Sequence, residues 1–185
     1  SNLPSFKLIP VSEEELLKKM STFPIKNTAG EDQIPSFLIH DTRFALIKPF
    51  VVIINKGIST STFPVRWKRA RIIPIHKKNE QSQLKNYRPI AILSNFAKIF
   101  EQVIFKSIFN NIQSYISPYQ HGFISGRSTV TNLVTITQFI CEQLDNNGQV
   151  DVVYTDFSNA FDTVDHQILL HKLSSFGFVQ SFLAL

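Results

Sequence analysis

The chain has 185 residues, of which 43% are hydrophobic, 18% are charged and 17 are phenylalanine. This composition, without a low-complexity tract or repeat, indicates one folded domain or a pair of subdomains and excludes a disordered or fibrous protein. The single cysteine, Cys141, excludes an internal disulfide and is expected to be a small core residue. The longest apolar run, residues 44–54, contains Lys48 and Pro49 and is too short to cross a bilayer. No signal-peptide pattern is present at the start, so we expect an intracellular protein without a membrane partner.

Positive charge is concentrated in one segment. The formal net charge is +5, yet residues 66–106 alone contain ten basic residues against Glu80 and Glu101. A dense positive segment favours a phosphate-bearing partner such as a nucleic acid. Charge runs are also common on solvated surfaces, so composition alone leaves both interpretations open.

The N-terminal third is predicted to be helical. Ser12 followed three residues later by Glu15 is typical of a capped helix start, and this helix is expected to end before Pro24. A polar turn containing Gly30 follows at residues 26–34.

Two further helices are expected after this turn. Pro35 suits the first turn of one helix, and the other is predicted over residues 42–56. Pro49 would strain or kink the second helix, and Gly57 suits its C-terminal stop.

A basic β-hairpin is predicted next. Residues 70–76 and 88–93 are rich in isoleucine, and a polar loop separates them. Lys77 and Lys78 begin this loop, and Arg88 begins the returning strand. Ammonium and guanidinium groups both suit phosphates, so these three residues are candidate phosphate ligands.

A helix, a glycine loop and a second helix follow the hairpin. Apolar residues at helical spacing predict a core helix over residues 96–112, and a second helix is expected over residues 130–144. The loop between them contains Gln120, Gly122, Arg127 and Ser128. Glycines that permit close approach, beside an arginine and a helix start, suit either a nucleic-acid backbone or an ordinary turn.

Asp156 is the candidate catalytic residue. It follows an apolar run at residues 150–154 that predicts a buried or half-buried strand, and side chains at strand ends are held rigidly but remain accessible. An aspartate at this place suits metal binding, helix capping or turn formation. Beyond it, Asp165 is expected to cap a helix that ends at Gly177.

Four motif blocks, in this order along the chain, resemble those of reverse transcriptases encoded by non-LTR (LINE-type, jockey-like) retrotransposons. They are the Gly30 turn, the hairpin blocks at 67–78 and 86–94, the glycine loop at 119–129, and the Asp156 block at 154–164. Gln33 departs from the family pattern, in which this position is more often glycine. The resemblance implies an α+β right-hand polymerase fold. It assigns residues 1–62 to an N-terminal extension, 63–147 to the fingers and 148–185 to the start of the palm.

The resemblance also implies roles for individual residues. Asp156 and the main-chain carbonyl of Phe157 would bind Mg²⁺, and Phe161 would lie under the sugar and exclude ribonucleotides. Lys77 or Lys78, together with Arg88, would grip the triphosphate of a dNTP. Residues expected to contact the RNA template and DNA primer are Gly30, Gln120, Gly122, Arg127 and Ser128.

One departure bears on activity. The family's second carboxylate block carries an Asp-Asp pair, whereas no such pair occurs here and Asp165 is the last acidic residue. A two-metal site needs several carboxylates, so we expect a fragment, truncated before that block, that is inactive alone. Two alternatives remain open: a non-catalytic nucleic-acid-binding remnant of a mobile element, and an intron-encoded reverse transcriptase.

Overall fold

The structure is a computed structural model that describes residue 6, residues 8–158 and residues 160–183. The chain divides into two compact units: unit 1 is Ser1–Asn111 with Leu170–Leu185, and unit 2 is Ile112–Leu169. These two units do not test the predicted division into an N-terminal extension, fingers and palm. That division stays a prediction.

The described residues form seven α-helices, three short 3-10 turns and one two-stranded sheet. The helices are α1 (Glu13–Thr22), α2 (Ser36–Asp41), α3 (Arg43–Thr60), α4 (Asn95–Ile112), α5 (Thr129–Asp145), α6 (His166–Ser175) and α7 (Gln180–Leu183), and the strands are β1 (Ala70–His76) and β2 (Tyr87–Leu93). This mixture of helices with a small sheet confirms the α+β prediction in its coarse form. Among the described helices, none is both long and apolar enough to span a membrane.

Local capping signals correctly predicted two helix starts. The Ser12 side chain accepts a hydrogen bond from the Glu15 backbone N–H at 3.1 Å, and α1 ends just before Pro24. The Asp165 carboxylate likewise accepts from the backbone of Gln167 at 2.8 Å and begins α6. Each cap satisfies a backbone donor that the first helical turn leaves without a partner.

The prediction that α3 stops at Gly57 is wrong. The helix continues to Thr60, and Ser61 ends it in a left-handed conformation with φ of 51°. Gly57 is buried instead, and a Cβ built on it would lie 3.2 Å from the Phe100 ring. The glycine therefore allows close packing of α3 against α4.

Helices α1, α3 and α4 enclose the core of unit 1. Its largest fully buried side chains, one of them from α2, are Leu16, Met20, Ile39, Ile54, Ile99 and Phe100. Asn55 of α3 fixes the segment before α1, because its side chain exchanges hydrogen bonds of 2.8 and 2.9 Å with the backbone N–H and C=O of Val11.

Strands β1 and β2 form the predicted antiparallel hairpin. Pro74 lies opposite Pro89 in its register. Proline cannot donate a ladder hydrogen bond, and a two-stranded sheet tolerates it because each strand is an edge. Most residues of both strands are exposed.

Two predictions that placed apolar residues of unit 2 in a buried interior are wrong. Residues 150–154 form no strand, and Val153 and Tyr154 are 85% and 87% exposed. A strand needs a neighbour for its backbone hydrogen bonds, and the described part of unit 2 contains none. Cys141 lies on α5 and is exposed. No residue of α5 is buried, so this helix has no interior face in which a small core residue could pack.

Candidate nucleotide and nucleic-acid site

In unit 1, the Gly30 turn packs against the backbone where β2 ends and α4 begins. Gly30 is buried, and a Cβ built on it would lie 2.7 Å from the backbone nitrogen of Ser94 and 2.8 Å from the carbonyl carbon of Leu93. The Ser94 hydroxyl also donates a 2.6 Å hydrogen bond to the Asp32 carboxylate. Glycine is required here for close approach between two backbone segments.

Asn95, which sequence analysis missed, fixes the same turn. Its buried side-chain amide donates to the carbonyls of Thr28 and Ile34 at 3.0 and 2.9 Å. These bonds hold both ends of the turn on the first residue of α4. Gln33 adopts a φ of 56° within the turn, in the left-handed region that glycine adopts freely and other residues adopt at a cost.

Replacing Gly30 by alanine is expected to lower the free energy of unfolding by about 1–3 kcal/mol, since the new methyl group overlaps backbone that cannot rotate away. Urea denaturation of the 185-residue chain measures this change. Gly122→Ala is the control, because its nearest neighbour is the flexible Gln120 side chain at 3.4 Å. Equal stabilities for the two variants would show that the Gly30 turn can move away from Ser94.

The three candidate phosphate ligands lie at one end of the hairpin in unit 1. Arg88 pairs with Ile75 in the sheet, and Lys77 and Lys78 directly follow β1. All three residues are exposed. The structure therefore brings these cations to the same end of the sheet, and it does not distinguish between the two lysines.

Side-chain hydrogen bonds to the backbone close the lysine loop. His76 Nε2 lies 2.9 Å from the Asn79 carbonyl oxygen, and the buried Asn86 side chain donates to the Glu80 carbonyl at 2.7 Å. The Lys77 backbone N–H donates to the Asn86 carbonyl at 2.8 Å. Sequence analysis missed Asn86, although an asparagine next to a strand after a polar loop is a common loop-closing pattern.

In unit 2, the Arg127 side chain closes the glycine loop by hydrogen bonds to the loop backbone. One nitrogen of its guanidinium, Nη1, donates to the carbonyls of Pro118 and Gln120. The Gln120 side chain in turn donates to the Gly122 carbonyl at 3.0 Å. Ser128 caps α5 by accepting from the backbone N–H of Thr131 at 3.2 Å. Two predicted nucleic-acid contacts, Arg127 and Ser128, therefore also shape the loop that carries them.

The Asp156 segment lies in unit 2 as well, and it is open to solvent. Asp156 is exposed, and Phe157 and Phe161 are 84% and 80% exposed. The Phe161 ring meets the ring of Phe123, from the glycine loop, edge to face at a centroid distance of 6.2 Å. The structure thus brings the residue expected to face the sugar next to the loop expected to contact nucleic acid.

The donor atoms at Asp156 fit Mg²⁺ in kind. An exposed carboxylate and the adjoining Phe157 carbonyl are hard oxygen ligands, and their exposure leaves coordination positions for water and phosphate. Among the described residues, no group of three or more His, Cys, Asp or Glu side chains is placed to hold a metal ion. These residues therefore fit part of a two-metal site.

Comparison with known proteins identifies the family. Residues 75–184 match the family model for the reverse transcriptase (RNA-dependent DNA polymerase). The chain is 30% identical to a probable RNA-directed DNA polymerase from transposon BS of Drosophila melanogaster, over 97% of this chain and 21% of that protein. It is 29% identical to the RNA-directed DNA polymerase from mobile element jockey of the same fly, over 91% of this chain and 19% of that protein.

A third relative agrees with these two. The chain is 26% identical to the probable RNA-directed DNA polymerase from transposon X-element of Drosophila melanogaster, over 98% of this chain and 21% of that protein. The chain thus spans about a fifth of the length of these relatives. The resemblance inferred from the four motif blocks is confirmed, and the chain belongs to the reverse transcriptase (RNA-dependent DNA polymerase) family of non-LTR retrotransposons.

Proposed function

We propose that these 185 residues are part of a longer RNA-directed DNA polymerase, called here the complete polymerase, that copies retrotransposon RNA into DNA. The observation that carries this proposal is the single family match over residues 75–184, which includes Lys77, Lys78 and Arg88 of the hairpin together with the Asp156 block. The relatives' names support the same activity, since they are RNA-directed DNA polymerases of mobile elements.

In this proposal, each candidate residue has a definite task. The basic end of the hairpin, with Arg88 and one of Lys77 and Lys78, binds the triphosphate of the dNTP. Asp156 and the Phe157 carbonyl hold Mg²⁺, which supplies Lewis-acid chemistry for nucleotidyl transfer when bound. The flat ring of Phe161 excludes a 2′-hydroxyl by steric repulsion.

Nucleic acid is proposed to contact the Gly30 turn in unit 1 and the glycine loop in unit 2. Gln120, Gly122, Arg127 and Ser128 belong to an exposed loop whose shape is fixed by its own hydrogen bonds. A preformed loop loses less conformational entropy on binding than a flexible one, which favours affinity. The proposed partners are an RNA template and a DNA primer, and the three-part division into extension, fingers and palm stands as part of the same proposal.

We further propose that the 185-residue chain binds nucleic acid without copying it. Asp156 is its candidate metal ligand, and the sequence has no Asp-Asp pair to complete a two-metal site. The same binding activity would serve the second candidate function, that of a non-catalytic nucleic-acid-binding remnant of a mobile element, because the exposed cations Lys77, Lys78 and Arg88 suit a polyanion without any metal site.

A primer-extension assay tests these proposals. With a DNA primer on an RNA template, the complete polymerase is expected to incorporate dNTPs with Mg²⁺ and to stop when EDTA is added. The isolated 185-residue chain is expected to incorporate none. Incorporation by the isolated chain would overturn its proposed inactivity, and failure of the complete polymerase on every RNA template would overturn the proposed activity.

A further inference from the structure

A cavity beside the Gly30 turn has no task in the function proposed above. It lies entirely in unit 1 and has a volume of about 340 Å³. Its floor is apolar and consists of side chains from α3, α4 and the turn before β1, among them Leu46, Phe50, Ile53, Trp67 and Phe96. This volume lies in the range of small-ligand pockets and exceeds that of one planar heterocycle.

Aromatic rings pack against one another on the floor of this cavity. Trp67 stacks on Phe96 with an angle of 8° between the rings and a centroid distance of 6.3 Å. Phe50 meets both rings edge to face, at 5.9 and 5.1 Å. Phe50 is also almost fully buried. A ligand would therefore meet a preformed apolar surface, which lowers the entropic cost of binding.

The rim of the cavity carries four charged groups of both signs: Glu31, Asp32, Arg66 and Arg69. Glu31 and Arg69 are 3.4 Å apart, and their side chains are 54% and 70% exposed. A solvent-exposed pair of this kind is weak and can exchange its partners for those of a ligand. The Asp32 carboxylate already accepts hydrogen bonds from the Ser94 hydroxyl at 2.6 Å and from the Ile34 backbone N–H at 3.2 Å, which fix its orientation.

The charges at the rim indicate which class of ligand the cavity can bind. Two carboxylates and two guanidinium groups cancel formally, so the rim does not favour a bare phosphate. An aliphatic side chain of a protein partner would fill the floor and leave the rim groups without partners. A nucleobase has flat apolar faces for the floor, and its edge has N–H donors for carboxylates and carbonyl or ring-nitrogen acceptors for arginines.

We propose that this cavity receives one unpaired nucleobase of single-stranded RNA, which rests on the template-binding role proposed above for the Gly30 turn. The carboxylates at the rim accept hydrogen bonds from an exocyclic amino group. The cavity therefore prefers bases that carry an amino group, such as adenine and cytosine, over uracil, whose edge offers a carboxylate only a single ring N–H.

Binding of short RNA to the 185-residue chain tests this inference. Fluorescence anisotropy with 12-nucleotide oligo(rA), oligo(rC) and oligo(rU) is expected to give affinities for rA and rC about fivefold or more above that for rU. Ile53→Trp places a bulky ring in the cavity from an exposed position on its floor and is expected to remove this preference. Val52→Trp is the matched control, because Val52 is the neighbouring residue on α3, is 64% exposed and does not line the cavity.

A second variant keeps the test independent of any folding defect in Ile53→Trp. Glu31→Gln changes one exposed acceptor into an amide of the same shape and is expected to reduce the preference for rA and rC by at least about half. Equal binding of the three RNAs, unchanged by Ile53→Trp and Glu31→Gln, would overturn the cavity inference and leave template binding intact. Absence of salt-dependent binding to all three RNAs would overturn the cavity inference together with the proposed nucleic-acid contact.

Discussion

In the complete polymerase, Asp156→Asn is expected to lower the rate of dNTP incorporation roughly 100- to 1,000-fold. The substitution keeps the size of the side chain and removes its negative charge, which a hard divalent cation needs in its ligands. Metal ions contribute several kcal/mol of charge stabilisation to nucleotidyl transfer, and each 1.4 kcal/mol corresponds to about a tenfold change in rate. The measurement is single-turnover primer extension at saturating dNTP over a range of Mg²⁺ concentrations.

A matched variant and a binding assay separate metal binding from folding. Asp151→Asn makes the same chemical change five residues earlier, at an exposed carboxylate that accepts a 2.9 Å hydrogen bond from Gln149. It is expected to change the rate less than about threefold, in the range of ordinary surface substitutions. Both variants are expected to bind RNA as the unsubstituted protein does. Equal rates for Asp156→Asn and Asp151→Asn would contradict the assignment of Asp156 as a metal ligand.

Features governed by neighbouring residues were predictable from sequence. Ser12 and Asp165 begin helices at the expected residues, because a cap is a contact between residues two or three positions apart. The hairpin of β1 and β2 was predictable for a similar reason, since both strands and their connecting loop lie within 24 consecutive residues. In these segments, local propensity and the observed structure agree.

Features that depend on distant partners were not predictable from local patterns. Residues 150–154 have the composition of a strand, but strand formation needs a neighbour that the described part of unit 2 does not contain. Gly57 was expected to end α3, whereas its place against Phe100, 43 positions later, lets the helix continue. Cys141 follows a helical pattern whose apolar face is exposed.

In the candidate site, too, local patterns were predictable and contacts between distant residues were not. The motif blocks predicted Gly30 and Arg127 as residues of interest, and the family match confirms the family to which those blocks point. The reason for glycine at position 30 became visible only with Ser94 and Asn95 in place, more than 60 residues away. A sequence pattern can identify such a residue, whereas its physical task depends on the backbone that it touches.

Phe100→Ala is expected to lower the free energy of unfolding of unit 1 by about 3–5 kcal/mol, the range observed when a buried aromatic ring is deleted. Phe100 is fully buried, and its ring lies 5.1 Å from that of Phe63 and 5.9 Å from that of Trp67, between centroids. Its removal leaves a cavity next to Gly57, which has no side chain to fill it. Urea denaturation followed by the fluorescence of Trp67, the single tryptophan, reports on this region directly.

Phe105→Ala on the same helix is the control for this prediction. Phe105 is 59% exposed and stacks on Phe109 at a centroid distance of 5.6 Å, so its removal is expected to cost less than about 1.5 kcal/mol. A large difference between the two variants would show that the aromatic cluster around Phe100, rather than apolar area in general, stabilises unit 1. A loss below about 1 kcal/mol for Phe100→Ala would contradict this account, because the neighbouring rings would then be able to close the cavity. The same result would weaken the inference of a preformed base pocket, whose floor residues Trp67 and Phe96 belong to that cluster.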